Sequence, residues 1–186
     1  MTNFEIALKQ VLNIEADYVN DVNDNGGATN FGITEALARK YGYVGDMKYL
    51  PKEKAIEIYK KEFWDDMNLG LIHHPQIATE AFEFAVNSGQ KRLAIKFMQR
   101  AFNTLQDEII LVEDGILGPK TAQAINNFPY SKLIVKLMNV FQGMFYVALA
   151  EGDKHQLDLL KHHRETPGHH KYKHFIRGWI NKRVNC

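Results

Sequence analysis

The chain has 186 residues, 45% of them apolar and 24% charged, with a net charge of +1 and a single cysteine, Cys186, at its last position. That length buries a sizeable core and suits one domain or one with a small appended unit. The composition excludes a disordered chain, the charge excludes bulk attraction to nucleic acid, and one cysteine excludes an internal disulfide or a Cys/His zinc site.

The N-terminus lacks the basic start and unbroken apolar run of a secretory signal, so the chain is expected to be made in the cytoplasm without a signal peptide. Leu133 to Ala150 is the richest apolar stretch, but Lys136, Asn139 and Gln142 interrupt it, which argues against a membrane span. Residues 3 to 15 read as a helix, because Phe4, Leu8, Val11 and Glu15 recur at spacings of four, three and four. Glu15 thus ends an apolar stripe, where partial desolvation raises a carboxyl pKa.

From Glu15 to Thr34 the chain reads EADYVNDVNDNGGATNFGIT, with neither helical nor strand period. A polar loop this long is functional or disordered, and Phe31 and Ile33 return it to apolar ground. Gly26-Gly27 suits a tight turn, which allows a small hairpin in or just after the loop. Thr34 caps a short helix closed by Gly42. Pro51 opens another, with Ala55, Ile56, Tyr59, Phe63 and Trp64 on its core side.

A helix after His73-His74-Pro75 stops at Gly89, leaving Asn87 and Ser88 as a polar pair that either caps the helix or positions substrate. Lys91 to Leu105 reads as a core helix. Asp114 to Thr121 is a turn that leads into a helix near Pro119, and Ser131 to about Gly152 is a long helix apolar nearly all round, hence central and buried. Every strong segment is helical, so the fold class is mainly α.

The tail from Lys161 carries seven Lys or Arg, five His and one acid, with Phe175, Ile176, Trp179 and Ile180 as an apolar strip. It suits a helix docked on the core, and it also suits contact with an anionic surface.

The polar loop has the groups of a two-carboxylate site. Such a site needs one acid kept protonated by apolar surroundings and a second group that stabilises positive charge or orients water. Glu15 meets the first requirement. Asp24, Asp21 and Asp17 are candidates for the second, and Thr29 for holding a water. An EF-hand register with its sixth-position glycine and twelfth-position glutamate is absent, which disfavours calcium.

These stretches resemble the N-acetylmuramidases of glycoside hydrolase family 108, found in phages and bacteria. The resemblance rests on Glu15-Ala16-Asp17-Tyr18, the Asn/Asp-rich Asn20 to Asp24, and Gly26-Gly27-Ala28-Thr29-Asn30-Phe31-Gly32-Ile33-Thr34. It continues through Ala85 to Gly89, Asp114 to Pro119 and Phe175 to Asn181. This chain departs from the family pattern at Ala16-Asp17, where two glycines are usual, and at Val22, where proline is common. The order Glu15, Asp24, Thr29 is also similar to that of phage lysozymes with a glutamate, aspartate and threonine.

The resemblance implies a lysozyme-like helical fold with a catalytic portion at 1–90 and a peptidoglycan-binding portion at 91–186. It implies cleavage of the glycan strand of peptidoglycan with Glu15 as the catalytic acid. From the residues themselves Asp24, with Asp21 and Asp17 as alternatives, and Thr29 are expected beside it, and Tyr18, Asp21, Asn30, Asn87 and Ser88 against substrate. No metal or cofactor is expected, nor a nucleic-acid partner, and the chain is expected to be a monomer. A lytic transglycosylase using the same acid, or a non-catalytic wall-binding or secretion-accessory protein, would share these features.

Overall fold

The computed structural model describes residues 1–14, 29–162 and 176–184. Glu15, Asp17, Tyr18, Asp21 and Asp24, expected at the site, lie outside the described residues. In chain order the elements are α1 (Asn3–Ile14), β1 (Thr29–Asn30), β2 (Ile33–Thr34), α2 (Glu35–Lys40), α3 (Lys52–Tyr59), α4 (Pro75–Ser88), α5 (Lys91–Thr104), α6 (Pro119–Asn126), α7 (Ser131–Glu151), α8 (Lys154–Lys161) and α9 (Ile176–Arg183). The fold is mainly α, and its described strands form one antiparallel hairpin that pairs Thr29 with Thr34 and Asn30 with Ile33.

Helix α1 forms where the apolar stripe placed it, with Leu8 and Val11 buried and Phe4 packed at the edge of the core. Its start is tied down by the Asn3 amide, which donates to the carbonyls of Ile72 and His73 at 3.0 and 3.2 Å. Phe4 meets Trp64 and Phe82 edge to face, with Tyr59 and Phe63 completing the cluster. The aromatic side of the Pro51 segment therefore serves packing. That segment does not stay α-helical: after Tyr59 it widens into a π-helical turn, Lys60–Asp65.

Helices α4, α5 and α7 make the centre. Phe84 on α4 lies 5.3 Å from both Phe97 on α5 and Phe145 on α7, measured between ring centroids. Gly89 ends α4 at φ +69°, and Gly152 ends α7 at φ +67°, both in the left-handed region that glycine enters at little cost.

Helix α7 differs from its expectation. Leu133, Ile134, Leu137 and Met138 are buried, but Met144, Tyr146, Val147 and Leu149 are exposed. Among the described elements the helix packs on α4, α5, α8 and α9, and its second half keeps an exposed apolar face. It is the one described helix long and apolar enough, by length and composition, to cross a membrane.

Candidate active site

The described part of the site is the frame on either side of residues 15–28. Helix α1 leads into this stretch, and the hairpin receives the chain from it. The hairpin turn is Phe31-Gly32, at φ +51° and +70°, not Gly26-Gly27, which lies outside the described residues. Two positive φ values suit the twist of a two-residue hairpin, although for Phe31 the conformation is strained. Two contacts hold it: the Tyr59 hydroxyl donates to the Phe31 carbonyl at 2.8 Å, and the Phe31 ring packs on the core.

Asn30 is buried, and its amide donates to the carbonyls of Met47 at 2.8 Å and Lys48 at 3.3 Å. Its side chain is thereby committed to fixing the hairpin on the short 3₁₀ turn Met47–Tyr49. Thr29 is half-buried and stands opposite Thr34, whose hydroxyl accepts from the Leu37 amide at 3.3 Å and caps α2 as the sequence suggests. Asn87 is exposed. Ser88 donates to the Phe84 carbonyl at 2.5 Å and accepts from the Gln90 amide at 3.1 Å, so it closes the end of α4.

Two carboxylates with no sequence signal mark the surroundings. Glu62, in the π-helical turn, receives Lys40 at 2.5 Å, Tyr41 at 2.9 Å and Lys91 at 2.9 Å. Burial alone would raise its pKa, but these hydrogen bonds outweigh it and hold the carboxyl at about 2. Lys91 also pairs with Asp66 at 2.8 Å, so α2, the π-helical turn and the start of α5 are fastened at one point.

Glu80, on α4, goes the other way. Burial and the neighbouring Glu83 push it up to about 7, against hydrogen bonds with Asn139 and Gln142. It was invisible in sequence because its burial comes from the packing of other helices, with α7 some sixty residues on, against α4.

The turn from Asp114 to Pro119 is anchored on α5. Gln99 accepts from the Gly115 amide at 2.9 Å and donates to Asp114 at 2.8 Å. Just before it, Glu113 is fully buried and pairs with Arg100 at 2.9 Å, while Asn103 donates to the Leu111 carbonyl at 2.7 Å. Among the described residues no group of three His, Cys, Asp or Glu side chains is placed to hold a metal ion.

A helical body with one short hairpin following its first helix is the lysozyme-like class of fold. Residues 8–89 match the model of "Glycosyl hydrolase 108", and residues 93–184 match that of "Predicted Peptidoglycan domain". The chain thus carries a glycosyl hydrolase 108 segment followed by a peptidoglycan-binding portion, the pairing of a glycoside hydrolase that acts on peptidoglycan. No curated protein matches it in sequence. Among solved structures it is similar in fold to Brucella abortus SagA, at a TM-score of 0.59 and 23% identity, over 85% of this chain and 91% of that one.

Proposed function

We propose that this protein is an endolysin-type muramidase that hydrolyses the β-glycosidic bond between N-acetylmuramic acid and N-acetylglucosamine, with Glu15 as the general acid. The observation that carries the reading is the hydrolase family match over residues 8–89, which spans both the apolar stripe leading to Glu15 and the hairpin that follows the polar loop. Glu15 protonates the leaving oxygen, while Asp24, with Asp21 and Asp17 as rivals, and Thr29 orient water or stabilise the developing positive charge. Tyr18, Asp21, Asn30, Asn87 and Ser88 are the proposed substrate contacts, although Asn30 and Ser88 already spend hydrogen bonds on the fold.

The catalytic portion takes residues 1–90 and the wall-binding portion 91–186. The enzyme is made in the host cytoplasm, passes to the wall through another protein's pore and acts there as a monomer in bacteriolysis. Its basic tail adds contact with anionic surfaces.

The test is release of reducing ends from purified peptidoglycan by the native enzyme and by Glu15→Gln. The substitution should abolish release and leave the thermal transition in place; near-normal release would defeat the assignment. Mass spectrometry of the products separates the runner-up, since anhydro-muramic ends would make the enzyme a lytic transglycosylase.

A further inference from the structure

Between α1, α4 and α7 lies a cavity of about 510 Å³, lined in part by Gln10, Thr79, Glu80, Lys132, Lys136 and Asn139. Its volume falls in the range of small-ligand sites. Three observations mark it as a built site.

The first is Thr79. Its residue is only 4% exposed, and its hydroxyl is buried without any hydrogen-bond partner. A buried hydroxyl left unpaired carries its desolvation cost with no compensating bond, so the position makes sense when something else completes it.

The second is charge. Among the described residues neither Lys132 nor Lys136 makes an ion pair; Lys136 donates to the Asn181 carbonyl at 3.2 Å and keeps further donors. Two ammonium groups on successive turns of one helix face repel each other and are relieved by an anion. The third is the wall opposite the lysines, where Glu80 holds its proton up to about pH 7 and so can donate as well as accept.

The chemistry selects the ligand. Among the described residues no aromatic ring lines the cavity, whereas a neutral sugar strand is gripped by aromatic faces. Two cations, a hydroxyl, amides and a carboxyl instead match a short peptide that carries free carboxylates and amide groups.

We propose that this cavity binds the peptide stem of peptidoglycan, with Lys132 and Lys136 on its carboxylates and the Thr79 hydroxyl on a backbone amide or carbonyl. The proposal rests on the peptidoglycan reading above. It assigns that substrate a second point of recognition, built from the first helix of the hydrolase segment, α4, and a helix of the peptidoglycan-domain segment.

Titration calorimetry of the full chain with synthetic L-Ala-γ-D-Glu-L-Lys, and with its diaminopimelate counterpart, tests it. At least one peptide should bind at a single saturable site. Lys132→Met with Lys136→Met should weaken binding roughly tenfold or more, because charge-assisted hydrogen bonds are lost. Thr79→Val should weaken it several-fold, while Thr79→Ser keeps it, which separates the hydroxyl from a packing effect.

Binding of neither peptide, equal displacement by inorganic phosphate, or occupation of the cavity by peptide-free chitin oligomers would each overturn the proposal. Glu15→Gln protein should bind the peptide as the native chain does. If that variant still cleaves wall, the assignment of the acid fails while the peptide-binding result stands on its own.

Discussion

The Tyr59 hydroxyl, on a residue fully inside the core, reaches 2.8 Å to the carbonyl of Phe31, the strained residue at the tip of the hairpin. The geometry of the strand pair that follows the polar loop is thus set by α3, from outside the hairpin. Tyr59→Phe should cost about 1 kcal/mol of stability in urea unfolding, the usual net worth of one such bond. Amide exchange should quicken most at Gly32 and Ile33. Unchanged exchange there would show that the ring alone holds the turn.

Asn30 offers a way to tell a positioning role from a substrate contact. Its amide faces two carbonyls, so Asn30→Asp sets a carboxylate against two acceptors in a buried place. The variant should lose roughly 3 kcal/mol. A variant with native stability but a raised KM would return Asn30 to the substrate.

Glu80 makes stability fall with rising pH. Its folded pKa of about 7 lies above the unfolded value of 4.5, so between these values the folded state binds more protons than the unfolded one. Stability is therefore full below about pH 4.5 and declines until the folded pKa is passed. Glu80→Gln removes that penalty: it should match the native protein at pH 4 and exceed it by roughly 3 kcal/mol at pH 8. Thermal unfolding at the two pH values measures the gap, and an equal gap at both would assign it to packing.

Gly115 has φ +75°, and a Cβ built on it would lie 2.5 Å from the Arg92 carbonyl oxygen. Backbone strain and the collision act together, so Gly115→Ala should cost about 3 kcal/mol or more. Chemical denaturation checks this, and a loss under 1 kcal/mol would mean that the turn shifts away from α5 easily.

The parts of the fold legible in the sequence are those with local causes. The apolar stripe of α1, the Thr34 cap, the glycine ends of α4 and α7 and the helix opened by Pro119 all follow from residues a few positions apart. The expectation that α7 is buried all round failed because a helix's hydrophobicity says nothing of how many neighbours arrive to cover it. The π-helical turn at Lys60–Asp65 and the short helix α8 carry no distinctive spacing. Glu62 and Glu80 look like ordinary surface glutamates in the sequence, and only the meeting of distant elements gives them opposite pKa shifts. Asn30 reads as a loop amide until the Met47 carbonyl is found beside it.

Phe84 belongs to the segment matched by the hydrolase family, and Phe97 and Phe145 to the segment matched by the peptidoglycan domain. Only residues 90–92 separate the two matches, and these three rings interlock across them. A wall-gripping portion joined in this way is no leash. On the proposed function, holding and cutting would then be coupled through shared core contacts, and a tighter grip on the wall would come at the expense of travel to the next bond.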